Sequence, residues 1–131
     1  ANSPVAAVHA LAYPIGGTFH VPHGLSNALV LPHVLRFNAP VALGSYAQIA
    51  GDPFPELAAV EGDHQRCAAF IDRLAELSAK VGLPRRLRDV GIREEDIAGL
   101  ARDAMKQTRL LVNNPRDVTE PDARSIYQAA W

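Results

Sequence analysis

Cysteine is nearly absent from this sequence, and Cys67 stands alone among 131 residues. One thiol excludes an internal disulfide and suits a reducing compartment, so the cytoplasm is the expected location. No sign of charge is in excess: Lys and Arg number 13, Asp and Glu 14, and the formal net charge is −1. Without a basic face, nucleic acid and anionic membranes are poor candidate partners. Long hydrophobic runs are missing too. The apolar stretches are short and broken by Pro and Gly, so none suits a membrane-spanning helix. The first eight residues lack the basic start of a secretory leader. No alternating strand pattern, internal repeat or low-complexity segment stands out.

What remains describes one globular domain. Hydrophobic residues make up 48% of the chain, enough to build a core and too many for disorder. The chain opens Ala1-Asn2-Ser3-Pro4, without Met, and runs at once into Val5-Ala6-Ala7-Val8. That abrupt entry into apolar sequence suggests a fragment of a longer protein.

The dominant period is helical, which predicts an all-α, bundle-like domain of about six helices. Residues 5–12 form a first apolar segment, and Pro14 with Gly16-Gly17 should stop or kink it. A second helix should open at Pro22 and run to about residue 37, apolar nearly all round and bent at Pro32. A short helix over 41–50 follows, then a loop over 56–62. Residues 63–81 read as amphipathic, with Cys67, Phe70, Ile71, Leu74, Leu77 and Val81 on one stripe. A further helix is expected over 94–110. The last should start at Thr119 as N-cap, with Pro121 in its first turn and Asp122 completing a capping box.

The main chemical signal is a cluster of histidines. His9, His20, His23 and His33 lie within 25 residues, and neutral imidazole is a good ligand for divalent iron or zinc. His9 and Tyr13 are four apart and so share a helix face. A helix-turn-helix could bring His9 beside His23. Spacing alone leaves two readings open, because a histidine on an apolar helix is more often a hydrogen-bonded core residue than a ligand. His33 reads as structural, His20 as a turn residue and His64 as solvated.

The run His9-Ala10-Leu11-Ala12-Tyr13-Pro14-Ile15-Gly16-Gly17-Thr18-Phe19-His20-Val21-Pro22-His23-Gly24 resembles the histidine signature of the iron-containing (group III) alcohol dehydrogenases. The likeness continues through Asn27-Ala28-Leu29-Val30-Leu31-Pro32-His33-Val34. It returns at Leu83-Pro84, Leu87-Arg88-Asp89-Val90-Gly91, Asn114-Pro115-Arg116, and at Tyr127 with Ala130-Trp131. The resemblance implies that residues 1–131 are part of that family's helical C-terminal domain, the upstream nucleotide-binding domain lying outside this sequence.

It further implies a divalent metal, Fe2+ or Zn2+, held by one Asp and three His, of which His9 and His23 are two. In such an enzyme the metal acts as a Lewis acid on an alcohol or aldehyde, and hydride passes to or from NAD or NADP. The stretch around Leu110 would line the substrate pocket. Tyr13 stands where many members carry a further His that relays a proton. A phenol can relay a hydrogen bond, but its pKa near ~10 makes it a poorer base at neutral pH, so lining the pocket is an equal alternative for Tyr13. Gly16-Gly17-Thr18 is not a dinucleotide loop, since no strand precedes it.

Two other classes stay open: a stand-alone helical module whose histidines only pack, and a metal hydrolase or dehydroquinate-synthase-like lyase. The hydrolase lacks its expected base, because residues 1–52 contain no Glu. Two ligands and no nucleotide fold lead us to expect a chain that is catalytically silent and binds metal weakly. Missing upstream helices should leave apolar surface around 5–11 and along 22–37, and with it self-association.

Overall fold

The computed structural model describes residues 6–131, so Val5 and the opening Ala1-Asn2-Ser3-Pro4 lie outside the described residues. Six α-helices carry the fold: α1 (Ala6–Phe19), α2 (His23–Ile49), α3 (Asp63–Lys80), α4 (Ile97–Ala104), α5 (Thr108–Leu111) and α6 (Glu120–Ala130). Short 3₁₀ turns sit at Pro55–Ala59, Leu87–Val90 and Glu94–Asp96. The described residues contain no strand, as the helical periodicity requires.

α1 does not stop where its Pro and Gly residues suggest. It runs through Pro14, Gly16 and Gly17 and ends at Phe19. Its terminator is His20, which takes a left-handed φ of 58° and donates its backbone N–H to Gly16 O at 3.1 Å. Gly16 does other work: a Cβ there would come within 3.3 Å of Val21 O. Its missing side chain thus lets the end of α1 lie against the turn that starts α2.

α2 is longer than expected because the predicted second helix and the short helix over 41–50 are one element. The join is a kink at Ala42 (φ −117°, ψ 15°), two residues after Pro40. Pro40 lacks the N–H for the regular bond and crowds the preceding turn. Pro32, where a bend was expected, sits in helical backbone.

The expected helix over 94–110 is instead divided. It begins as the 3₁₀ turn, continues as α4 and breaks at Gln107 (φ −87°, ψ 52°) before α5. The break lets α5 pack separately against α1. The start of α6 is as expected: Thr119 caps Asp122 N–H at 3.3 Å, and Thr119 N–H donates back to Asp122 Oδ2 at 3.0 Å.

α2 is the spine shared by two apolar clusters. Its N-terminal half joins α1, α4 and α6 around Leu11, Ile15, Leu29, Val30, Val34, Leu100 and Tyr127. Its C-terminal half joins α3 and the first 3₁₀ turn around Tyr46, Leu57, Cys67, Phe70 and Ile71. The stripe of α3 is only half used. Leu77 is 51% and Val81 66% exposed, because the end of α3 runs past its partner.

The apolar surface expected around 5–11 is absent from its described part. Ala6, Ala7, Val8, Ala10 and Leu11 are buried, as are Leu29, Val30, Val34 and Leu35 of α2. α4, α5 and α6 fold back and cover these faces, so this chain builds its own core over the positions that upstream helices were expected to cover.

Candidate metal centre

Between Ala6 and Ile15 every position of α1 is buried except two, His9 and Tyr13. They are four residues apart, so a single solvent-facing line crosses an otherwise enclosed helix. Tyr13 is 63% exposed. The turn ended by His20 folds α2 back, and the N-terminal residue of α2, His23, meets this line. The rings of His9 and His23 stack with centroids 6.0 Å apart and planes 9° from parallel.

The turn that makes this meeting is well tied. Ser26 is buried, and its hydroxyl lies 3.2 Å from Val21 O and 3.1 Å from Pro22 O, both of them acceptors. Asn27, one helical turn after His23, places its amide nitrogen 3.3 Å from His23 Nε2. The other end of the same amide, Oδ1, is buried without a hydrogen-bond partner. The i, i+4 spacing of His23 and Asn27 is visible in sequence, but a polar pair at a helix start has many other meanings.

The remaining histidines go elsewhere. His20 serves the turn through its backbone, and His64 is exposed. His33 is half-buried, and desolvation, then the charge of Arg36, lowers its pKa from 6.5 to about 4. It is therefore neutral at pH 7. Leu110 is half-buried on α5 and packs at the edge of the first cluster. It is held near α1 by Asn114, whose Oδ1 accepts from Ala7 N–H at 3.3 Å.

Asn114 makes a lock that residue typing alone does not announce. Asn38 Nδ2 donates to Asn114 Oδ1 at 2.9 Å, and Asn114 Nδ2 donates to Asn38 Oδ1 at 2.7 Å. Arg116 donates to Phe37 O at 2.8 Å and lies over the Phe37 ring. The Asn114-Pro115-Arg116 motif therefore clamps α1 to the middle of α2.

Residues 1–131 match the model of the Fe-containing alcohol dehydrogenase family, C-terminal. The chain belongs to this family. It is 41% identical over 133 residues to the long-chain-alcohol dehydrogenase 1 of Geobacillus thermodenitrificans, covering 99% of this chain and 33% of that protein. It is 37% identical over 130 residues to the lactaldehyde reductase of Escherichia coli K12, covering 99% and 34% respectively. Its structure superposes on a crystal structure of a 1,3-propanediol oxidoreductase with a TM-score of 0.88 at 33% identity, covering 95% of this chain and 32% of that one. The chain thus spans about a third of the length of the relatives it matches.

The donor chemistry can be set against the iron after which the family is named. Two exposed imidazoles on facing helix starts suit a borderline divalent cation. Among the described residues, however, no group of three or more His, Cys, Asp or Glu is arranged to hold a metal ion. His9 and His23 fit one half of such a site. Among the described residues no helix is long and apolar enough to cross a membrane.

Proposed function

We propose that this chain is the metal- and substrate-facing part of an NAD(P)-dependent alcohol dehydrogenase that interconverts an alcohol and an aldehyde or ketone in the cytoplasm. His9 and His23 would hold Fe2+ or Zn2+ together with an Asp and a His from a preceding segment of the longer protein. One observation carries the reading: the exposed line through buried α1 is made of His9 and Tyr13, and His23 stacks against it. A solvent-facing line is ordinarily polar; what points to a metal is that it brings two imidazoles together with nearly parallel rings.

A bound cation would supply Lewis-acid polarisation of the substrate oxygen. The roles of this chain's own residues follow from their places. The two imidazoles, as neutral ligands, bring no charge compensation to a dication, so the anionic ligand must come from elsewhere. Asn27 orients His23 through its Nε2 contact. Tyr13 stands one turn beyond His9, where its hydroxyl can line the pocket or pass on a proton. Leu110, at the apolar edge of α5, would pack against the carbon chain of the substrate. The nicotinamide would be carried by a preceding nucleotide-binding domain, because the described residues contain no strand on which a dinucleotide loop could be built.

Two experiments test this. In the whole protein, His23→Ala should remove most bound metal and most activity, while Tyr13→Phe should keep its metal and lose much less activity. Equal activity losses at full metal content would make Tyr13 an essential relay instead of a lining residue. The 131-residue chain alone should be inactive and should bind Zn2+ or anaerobic Fe2+ only weakly by calorimetry. Submicromolar one-to-one binding that disappears in His9→Ala would overturn the half-site. Self-association, in this reading, would use exposed Leu77, Val81 and Leu83, and light scattering at rising concentration checks it.

A further inference from the structure

A concavity whose lining contains neither His9 nor His23 opens on the molecule. It has a volume of about 460 Å³ and is lined by the middle of α2, the later turns of α3, the segment 84–88 and the end of α6. Arg36, Arg85, Arg86 and Arg88 line it, together with His33 and Ser78. No Asp or Glu is among its lining residues. Four of the chain's 13 Lys and Arg thus share one concavity in a protein whose net charge is −1.

The arrangement is built, not scattered. Leu87 is fully buried in the first cluster, which anchors Arg86 and Arg88 on either side of it. The Arg88 guanidinium lies 4.9 Å from the centroid of the Trp131 ring. Trp131 is itself fixed by Nε1–H donation to Ile92 O at 2.9 Å. Arg36 reaches Asp72 at 3.2 Å, outside the lining. Arg36 is thus already compensated, and the like charges without an ion pair among the described residues are Arg85, Arg86 and Arg88; their mutual repulsion is unfavourable, and a bound anion reverses the sign of that term.

We propose that this cavity binds a small multivalent oxyanion of the phosphate class through the guanidinium groups of Arg36, Arg85, Arg86 and Arg88. Guanidinium presents planar forked donors that match phosphate oxygens, and the Ser78 hydroxyl adds a neutral donor. The site shares no residue with the histidine pair, so it stands or falls independently of the dehydrogenase reading.

His33 is a built-in reporter. The charge that acts on it is Arg36, on its own helix; Arg85, Arg86 and Arg88 line the same cavity from the facing segment, and Asp72 of α3 pairs with Arg36 outside the lining. α3 contributes Ala75 and Ser78, and α6 contributes Gln128 and the uncharged end residues. In the free protein its pKa lies at about 4. An anion in the cavity favours the imidazolium, so binding must raise that value.

Pyrophosphate, inorganic phosphate and citrate would be titrated calorimetrically into the metal-free whole protein with its nucleotide site filled by NAD(P), at low ionic strength, where such pairs are least screened. The same titrations would use Arg85→Gln/Arg88→Gln and a charge-matched control outside the cavity, Arg93→Gln/Arg102→Gln. Pyrophosphate should bind one-to-one, at least tenfold more weakly to the first variant and unchanged to the control. The His33 imidazole resonance should titrate at higher pH when pyrophosphate is present. Citrate binding as tightly as pyrophosphate would overturn the phosphate assignment in favour of polycarboxylates. Absence of pyrophosphate binding, equal losses in both variants, or an unmoved His33 would overturn the site itself.

Discussion

Asn38, Asn114 and Tyr127 are polar residues at the centre of the molecule, while His9, Tyr13 and His23 are polar residues on its face. The central group is closed. The two asparagines bond each other reciprocally, Asn114 also accepts from Ala7, and Tyr127 donates to Leu11 O at 2.6 Å. Burial pushes the Tyr127 hydroxyl far above its ordinary range, so it stays a neutral donor at any pH the protein tolerates. The facial group is open. Among the described residues its imidazoles stack on each other and one meets the Asn27 amide, whose buried oxygen has no hydrogen-bond partner. Buried polar groups must be paired because an unpaired one loses its hydration without return. Exposed groups carry no such obligation, and a polar line on a buried helix is ordinary; the meeting of two imidazoles from different helices is what the fold does not require.

If that contrast is right, variants of the two groups should separate stability from binding. Asn114→Ala should have the largest effect. It strands the Ala7 N–H in a buried place and takes both Asn114 bonds from the Asn38 amide, which keeps its bond with Tyr46, and should cost roughly 3 kcal/mol of unfolding free energy. Urea denaturation followed by circular dichroism measures it. A loss below about 1 kcal/mol would mean that water reaches the lock. Tyr127→Phe should come next. It removes one donor and leaves Leu11 O buried, for about 1–2 kcal/mol, read from the same denaturation curves. His9→Ala should be nearly silent in that assay, within about 0.5 kcal/mol, as expected for an exposed side chain. A destabilisation matching that of Tyr127→Phe would place His9 among the structural residues and end the contrast.

The sequence was most legible where local chemistry decides the outcome. The capping box at Thr119 and Asp122 formed as its residue types require, because both partners are three residues apart and need nothing else. The alignment of His9 with Tyr13 followed from the helical repeat. The reading failed where a local signal competed with packing. Pro14 and Gly16-Gly17 look like a stop, yet the helix continues because Leu11, Ala12, Pro14 and Ile15 are buried along it and Gly16 is used for close approach. The stripe of α3 looked uniform, but Leu77 and Val81 project beyond any partner. The face at Ala6–Leu11 looked orphaned, but α4, α5 and α6 return to cover it. That return is a long-range event, and no window of local sequence contains it.

By itself the sequence determined the all-helical class, the caps, the amphipathic faces and the family, since each depends on residues close along the chain or on a continuous motif. The tertiary structure alone decided which polar groups were closed off and which were left open. Asn38 and Asn114 are 76 residues apart along the chain and share two hydrogen bonds. His33, Arg36 and the arginines of the segment 84–88 line one cavity from opposite sides of a helix pair. Pairing, burial and local field are set by distance in space, and only the packing of α2 against α1, α3 and α6 sets those distances.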